Sequence, residues 1–502
     1  MKQDFKILIR HFITYGASIY LSRLIGFFMI PVYTTYLTPA DYGTLELLDL
    51  TMFVVNMFVG LGLINSIIRF YSDCQTDGEK NEVISTAFFY VLLAAVCING
   101  LLVAFSGPIS RMIFTSGEGT ASPERLSLFV KIVACSGILD ILAGVGTSYL
   151  QSEKKSVVFT AISVTRFLIA VTLNIVFVVG FELGVIGVLY SQIIAAAVAC
   201  VAMTWPMHRH LGRHISNSRA MEMMRYGAPL ILSSLSMFVI HFGNRFFLER
   251  IVGLTVLGIY SLSYKLAMVL PALVYGPFEM IWNALMFDLY KKGDEGRKTI
   301  NYINKYLLVG SLWFITAYAL CIKDLVHIMA DPKFHDAYMA VPPLLLAFLF
   351  TGLTAVSQVG TLFAKKTIYR GLANIYGAVM ALAGYYFLIP VYGYWGAVIS
   401  TFAALLVRYV ATAVYAQRFY RLEYSLPLYL KVAAATGGAY ALGTMISFDN
   451  HFVSLFARGI VGLLLFGALA LALKIFNRYE LAAAVSLVKA IRFKGRKDAA
   501  GE

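Results

Sequence analysis

Residues 185–203 read VIGVLYSQIIAAAVACVAM, a stretch that contains no charged side chain. A helix needs about 20 such apolar residues to cross a hydrocarbon core of about 30 Å. Comparable runs recur along the whole chain of 502 residues, of which 59% are hydrophobic and 14% are charged. A soluble protein would carry close to a quarter charged residues, and a transmembrane β-barrel would show short segments of alternating hydrophobicity. The sequence therefore predicts an all-α polytopic membrane protein.

Apolar runs separated by charged or Gly/Pro-rich breaks predict fourteen transmembrane helices. They lie near residues 12–36, 42–70, 83–106, 127–150, 157–180, 184–205, 226–249, 255–287, 301–322, 339–363, 368–390, 392–416, 428–447 and 454–476. The first run carries polar groups and is followed by no small-residue cleavage site. This favours an uncleaved first span over a signal peptide that is removed.

The positive charges in the connecting loops indicate the orientation, because Lys and Arg accumulate on the cytoplasmic side of a membrane. If the N-terminus is cytoplasmic, the loops on the opposite side hold few of them. They are Arg111, Arg125, Arg250, Lys323 and Lys333. The other loops and both tails hold far more, so we expect both termini in the cytoplasm. This asymmetry explains much of the net charge of +14, and it favours contact with anionic membrane lipids.

Four motifs recur at a nearly constant offset of 209 to 215 residues, which indicates an internal repeat. They pair Tyr15-Gly16-Ala17 with Tyr226-Gly227-Ala228, Gly43 with Gly258, Lys154-Lys155 with Lys365-Lys366, and Gly184 to Ser191 with Gly393 to Ser400. The offset covers an even number of spans, so the halves have the same orientation. We predict two parallel six-helix repeats that form N- and C-lobes, plus a C-terminal helix pair. The bounds are 1–207 for the N-lobe, 208–225 for a cytoplasmic loop, 226–417 for the C-lobe, 418–476 for the pair and 477–502 for a basic cytoplasmic tail.

Parallel repeats of this kind predict a transporter. Transporters built from them bind the substrate between the halves and rock one half against the other. The pattern by itself leaves one alternative open, which is a duplicated scaffold without a transport role.

Several stretches resemble the Wzx-type polysaccharide-transport flippases. They are Tyr36 to Gly43, Leu61-Gly62-Leu63, Arg69-Phe70-Tyr71, Leu257 to Leu266, and Gly393 to Ser400. The resemblance implies the fold of the multidrug/oligosaccharidyl-lipid/polysaccharide exporter superfamily, with two six-helix lobes around a V-shaped cavity. It also implies the substrate, an oligosaccharide on undecaprenyl diphosphate that is moved from the cytoplasmic to the outer leaflet of the bacterial inner membrane. Surface polysaccharide such as O-antigen, capsule or exopolysaccharide would be the product.

The same resemblance implies partners, namely membrane lipids and the polysaccharide polymerase and glycosyltransferases that act on the same glycan. Two alternatives within the superfamily remain, a peptidoglycan-precursor (lipid II) flippase and a cation-coupled multidrug exporter. An integral-membrane glycan polymerase or ligase is a weaker alternative, because the outer loops near 107–126 and 323–338 are short for an enzyme site. We therefore expect a transporter that is not an enzyme.

Charged residues within the predicted spans are the candidate site, because burying charge in a membrane is costly without a function. Arg23, Arg166 and Lys265 are predicted near mid-depth, and Arg245 lies nearer the outer rim. Cations of this kind can make charge-assisted contacts to a diphosphate. We predict all four as substrate-binding residues. Asn244 stands where the family pattern would place an acid before Arg245, which puts a salt-bridge role for this arginine in doubt.

Four acidic residues also lie within predicted spans. They are Glu46, Asp49, Asp140 and Glu279. They either neutralise the cations or bind a coupling Na⁺ or proton, and the sequence leaves both interpretations open.

No cofactor, metal or nucleic-acid partner is expected. His208, His210 and His214 lack cysteine or acidic partners at ligand spacing, and no phosphate-binding G-x-x-x-x-G-K-[ST] motif occurs. The five cysteines are scattered and predict no disulfide framework. The basic residues are spread over short loops without interleaved aromatics, unlike a nucleic-acid surface.

The topology predicts the side on which reporter fusions become active. Fusions after Ser218 and after Glu502 should report cytoplasm, and a fusion after Thr120 should report the outer side. Paired phosphatase and fluorescent-protein reporters would measure this. A cytoplasmic signal at Thr120 would contradict the model of fourteen spans.

Overall fold

The computed structural model describes residues 27–60, 62–117, 122–212, 215–446, 448–477 and 480, and these residues form helices and no strand. The helices of the first half are α1 (Ile30–Tyr36), α2 (Pro39–Val59), α3 (Leu63–Asp73), α4 (Asp77–Ala104), α5 (Ser106–Ile113), α6 (Pro123–Ser152), α7 (Ser156–Asn174) and α8 (Val185–Thr204). The helices that follow are α9 (Asn217–Phe242), α10 (Asn244–Ile251), α11 (Leu254–Ala267), α12 (Gly276–Lys291), α13 (Gly293–Met329), α14 (Val341–Ser357), α15 (Val359–Phe363), α16 (Ile368–Tyr392), α17 (Tyr394–Gln417), α18 (Leu426–Thr444) and α19 (His451–Ala472).

Short stretches of tighter or wider helix extend several of these elements. They are the π-helices Ile175–Gly180 and Pro271–Tyr275 and the 3₁₀-helices Trp205–His210 and Pro332–Ala340. Counted with such extensions, twelve helices of the described residues are long and apolar enough to cross a membrane. The predicted span near 428–447 is present as α18 but is not among the twelve, and most of the first predicted span lies outside the described residues. The all-helical, multi-pass architecture is confirmed, and the count of fourteen spans stays a prediction.

The start of α2 shows how the sequence sets a helix end. Thr38 Oγ1 accepts a hydrogen bond from the Asp41 amide at 3.1 Å, and Asp41 Oδ2 accepts one from the Thr38 amide at 3.1 Å. Pro39 occupies the first turn, where its missing N–H costs nothing. This reciprocal capping box satisfies backbone donors that the helix itself cannot use. The motif that resembles the flippase family therefore fixes the point where α2 begins.

The internal repeat appears in the backbone at two of the four predicted matches. Gly184 and Gly393 have φ/ψ of 60°/−135° and 56°/−132°, and each precedes a matching helix, α8 or α17. Lys154 and Lys365 both have φ of 56°, in turns that end α6 and α15. Left-handed backbone is uncommon for lysine, so its occurrence at both equivalent positions indicates a shared structure. The lobe bounds derived from the repeat stay a prediction.

Two close helix crossings join the halves, and glycines make both possible. At the outer crossing, α2 meets α11, and a Cβ on Gly258 would lie 1.8 Å from the Pro39 carbonyl oxygen. At the inner crossing, Gly62 meets Gly227 of α9, and a Cβ on either would lie 2.5 Å from the other's Cα. We name the crossings after the membrane sides that the loop charges predict. Any side chain at these positions would push the helix backbones apart.

Hydrogen bonds hold each crossing closed. Beside the outer crossing, the buried Glu249 carboxylate of α10 accepts bonds from the Ser116 amide at 2.8 Å and from Thr115 Oγ1 at 2.9 Å. Beside the inner crossing, Ser66 Oγ of α3 donates to the Met223 carbonyl oxygen of α9 at 2.8 Å. Both ends of the boundary between the halves are therefore in contact.

Alanine substitutions at the two crossings should open opposite ends of the boundary between the halves. Gly258→Ala should part the outer ends of α2 and α11, and Gly227→Ala should part the inner ends of α3 and α9. In a Ser261→Cys background without native cysteines, we expect Gly258→Ala to raise labelling by an external impermeant maleimide about tenfold. Gly227→Ala should raise labelling from the cytoplasmic side instead.

Gly371→Ala is the matched control, because nothing lies within 4 Å of the added Cβ. Its labelling should equal that of the parent. Size-exclusion profiles would show that each variant folds. Equal external labelling of the Gly258 and Gly371 variants would show that the outer crossing does not close the path.

Candidate functional site

A cavity of about 560 Å³ lies between the two halves, and on α2 and α11 its lining begins one turn after the glycines of the outer crossing. Its lining residues are Phe27, Glu46, Leu50, Phe242, Arg245, Ser261, Tyr264, Lys265, Met268, Val269, Ala272, Leu273 and Tyr318. Glu46 and Leu50 come from the first half, and most of the others come from α9 to α11 and the segment after α11. The polar residues cluster toward the outer crossing, and the remaining wall is apolar.

Arg245 forms an ion pair that connects the halves. Its Nε lies 3.5 Å from Glu46 Oε1, and its Nη1 donates to the His241 carbonyl oxygen at 2.6 Å and to Asn244 Oδ1 at 2.7 Å. The guanidinium also lies 3.9 Å from the centre of the Tyr264 ring. Arg245 is 1% exposed, so its charge is compensated by protein groups. The acid that the sequence lacked at position 244 is supplied by Glu46 of α2.

Lys265 faces the cavity without a close acidic partner. Its Nζ donates to the Tyr42 hydroxyl at 2.8 Å. No carboxylate oxygen of the described residues lies within 4 Å of the Lys265 nitrogen. Its side chain is exposed and lines the cavity. Glu46 attracts the Lys265 ammonium from beyond that distance, so this lysine has an acid nearby but no carboxylate in contact.

Asp49 lies one turn beyond Glu46 on α2. Its carboxylate is exposed, and Oδ1 is 3.5 Å from Gln192 Nε2 of α8. Glu46 and Asp49 thus place two acids of one helix beside the boundary between the halves. Arg23, the fourth predicted cation, lies outside the described residues.

Arg166 lies elsewhere, in a second cavity of about 460 Å³ within the first half. Its Nη2 is 2.6 Å from Asp140 Oδ1, so these two predicted site residues form an ion pair between α7 and α6. The lining residues are Asp140, Ala143, Gly144, Thr147, Phe159, Ser163, Arg166, Phe167, Ala170, Ala199 and Met203. The structure therefore brings Lys265, Arg245 and Glu46 together and places Arg166 and Asp140 in a separate site.

Glu279 of α12 is half-buried and does not line the central cavity. Its carboxylate interacts electrostatically with Arg408 of α17 and with Arg370 of α16. Sequence reasoning did not single out Arg408, although a charge within the apolar span near 392–416 was the signal that could have found it.

A second buried charge, Asp324, was also missed. Asp324 of α13 is 3% exposed and accepts from Arg458 Nη1 at 2.9 Å and from Ser454 Oγ at 2.7 Å, both in α19. This group fixes the C-terminal helix pair to α13. Within the described residues, no group of three or more His, Cys, Asp or Glu is arranged to hold a metal ion.

Comparison with solved structures shows the fold. A lipid II flippase MurJ in an inward closed conformation is similar over 92% of this chain and 99% of that chain, with 12% identity and a TM-score of 0.73. An inward-facing multidrug resistance MATE family transporter of the MOP superfamily is similar over 81% of this chain and 94% of that chain, with 15% identity and a TM-score of 0.63. An outward-facing MATE transporter is similar over 84% of this chain and 97% of that chain, with 14% identity and a TM-score of 0.59.

Comparison of the sequence with protein families identifies the family. No curated protein matches the chain. A family model described as polysaccharide biosynthesis protein matches residues 8–281, which is more than half of the chain. The predicted resemblance and the predicted superfamily fold are both confirmed. The chain has the fold of the MOP-superfamily transporters and belongs to the polysaccharide biosynthesis protein family.

Proposed function

We propose that this protein is a flippase for lipid-linked oligosaccharide. It would move undecaprenyl-diphosphate-linked glycan units from the cytoplasmic to the outer leaflet of a bacterial inner membrane by alternating access, for surface polysaccharide biosynthesis. The observation that carries the proposal is Lys265, a cation without a close carboxylate that faces a cavity between two halves. A polysaccharide polymerase and glycosyltransferases would act before and after it on the same glycan.

The cavity has a polar part and an apolar wall, which would suit an amphipathic substrate. Lys265 and Ser261 line the part nearer the outer crossing, and Met268, Ala272 and Leu273 line an apolar wall further along. A diphosphate would contact the lysine, since charge-assisted hydrogen bonds to phosphate are strong. The isoprenoid carbons next to the diphosphate would pack against the apolar wall.

The ion pair between Glu46 and Arg245 supports alternating access. Its two members lie on opposite halves, so the outer ends cannot separate without breaking it. A buried arginine that loses its partner is strongly destabilised, and an incoming anionic group would replace the lost carboxylate. We therefore propose that substrate binding at Lys265 and Arg245 is coupled to the separation of the halves.

The energy for transport would come from gradients. Expelling an anion from a cell with a negative interior yields about 2.3 kcal/mol per charge per 100 mV. Glu46 and Asp49 lie near Lys265 and are our proposed sites for a coupling Na⁺ or proton, or for neutralisation of the cavity cations.

A peptidoglycan-precursor flippase is the second candidate, because the solved structure of a lipid II flippase is similar over 92% of the chain. Its substrate would present the same diphosphate to Lys265, so the cavity chemistry suits both. A multidrug exporter that carries cations fits less well, since Lys265 would repel a cationic substrate.

Lys265→Gln should slow transport of undecaprenyl-diphosphate-linked oligosaccharide in proteoliposomes by about ten- to a hundredfold. A hydrogen bond to a charged group contributes about 1.5–3 kcal/mol, and glutamine cannot replace the charge. Lys265→Arg should keep much of the rate. The measurement is the time course with which the glycan becomes accessible to an impermeant glycosidase.

Lys323→Gln is the matched control, because Lys323 is exposed and lies outside the cavity. Parallel assays with lipid II and with a cationic dye would distinguish the alternatives. An unchanged oligosaccharide rate in a folded Lys265→Gln protein would contradict the proposed role. Transport of the dye but of neither lipid would identify a drug exporter instead.

A further inference from the structure

Arg408 is a buried cation outside the central cavity. It lies in α17, is 8% exposed, and is nine positions from Gln417, the last residue of that helix. At about 1.5 Å per residue this places it about 14 Å from the predicted cytoplasmic end. Its Nε donates to Asn374 Oδ1 of α16 at 2.9 Å, and Asn374 Nδ2 donates to Ser233 Oγ of α9 at 3.2 Å. Three helices of the second half therefore meet at this guanidinium.

The charge of Arg408 lacks a close counter-charge. Its Nη1 is buried and has no hydrogen-bond partner within the part of the chain that the structure describes. None of the ion pairs in that part, taken to 4 Å, includes Arg408. Glu279 attracts it from beyond that distance, and the like charge of Arg370 repels it.

Three other arginines of the spans differ from Arg408 because each has a carboxylate within 4 Å. Arg166 has the Asp140 carboxylate at 2.6 Å, Arg245 has Glu46 at 3.5 Å, and Arg458 has Asp324 at 2.9 Å. These pairs show that the protein elsewhere supplies a carboxylate for an arginine within a helix bundle. A guanidinium stays protonated when buried, so an unpaired one needs an anion.

We propose that Arg408, Asn374 and Ser233 form a binding site for a small inorganic anion such as chloride. The free Nη1 would donate to the anion, and the Asn374 amide and the Ser233 hydroxyl can add donors. None of these three residues lines the central cavity. The site is therefore separate from Lys265 and independent of the proposed transport function.

The test is thermal unfolding of the purified full-length protein in detergent, in sodium chloride and in sodium gluconate at equal ionic strength. Gluconate is too large to reach a residue that is 8% exposed. Chloride should raise the unfolding midpoint saturably, by about 2 °C or more, because a ligand that binds the folded state stabilises it. Arg408→Gln should remove the response, and Lys265→Gln should keep it. No chloride response in the parent protein would overturn the proposal.

Asn374→Asp provides a second test if Arg408→Gln does not fold. A carboxylate beside Arg408 would supply the missing charge, so this variant should be more stable than the parent in gluconate and indifferent to chloride. Asn174→Asp is the matched control, because Asn174 of α7 is likewise buried and binds no cation in the described residues. It should lower the midpoint and keep the chloride response. A chloride response that survives Asn374→Asp, or that Lys265→Gln abolishes, would overturn the proposal.

Discussion

The contact between α2 and α11 at Gly43 and Gly258 is the constraint on which the rest of this structure depends. Each glycine removes the Cβ that would otherwise strike the backbone of the other helix. The approach brings Glu46 of one half within ion-pair distance of Arg245 in the other and places Lys265 beside Tyr42. The sequence predicts that the two glycines are equivalent positions of the internal repeat, and their crossing lies where the halves meet. The polar end of the central cavity, at Glu46 and Ser261, begins one turn after this crossing on both helices.

Charge placement in the bundle follows the same logic. Hydrocarbon cannot solvate an ion, so the membrane arginines pair with acids on neighbouring helices. Arg166 and Asp140 pair within the first half, whereas Arg245 and Glu46 pair across the halves. A pair within one half can persist while the halves move, and a pair across them must break. Lys265 and Arg408 have no carboxylate within 4 Å in the described residues, and we propose an anionic ligand for each of them, a lipid diphosphate for the first and a small inorganic anion for the second.

Much of the fold could be predicted from the sequence, because the length of an apolar run and the depth of a charge within it are local properties. The turn before Gly184 and its repeat at Gly393 was also readable, since the same residue pattern produced the same left-handed backbone. The partners of the charges were not predictable. The sequence predicts that Arg166 lies near mid-depth of its span, but it does not say which helix packs there, and the acid that pairs with this arginine is on α6. Arg408 carried the same signal as the other cations, a charge within an apolar run, but that signal does not show whether an acid lies opposite it.

The central claim is that the two crossings open alternately around one cavity. Distances between spin labels at exposed sites beside each crossing test it directly, with Met112 and Ile251 at the outer crossing and Ile68 and Met221 at the inner one. Lipid-linked oligosaccharide is added to the reconstituted protein, and electron paramagnetic resonance measures both distances. A molecule with a longer outer distance should have a short inner distance, and a molecule with a longer inner distance should have a short outer one. Distances that lengthen together, or that do not change during turnover, would contradict alternating access.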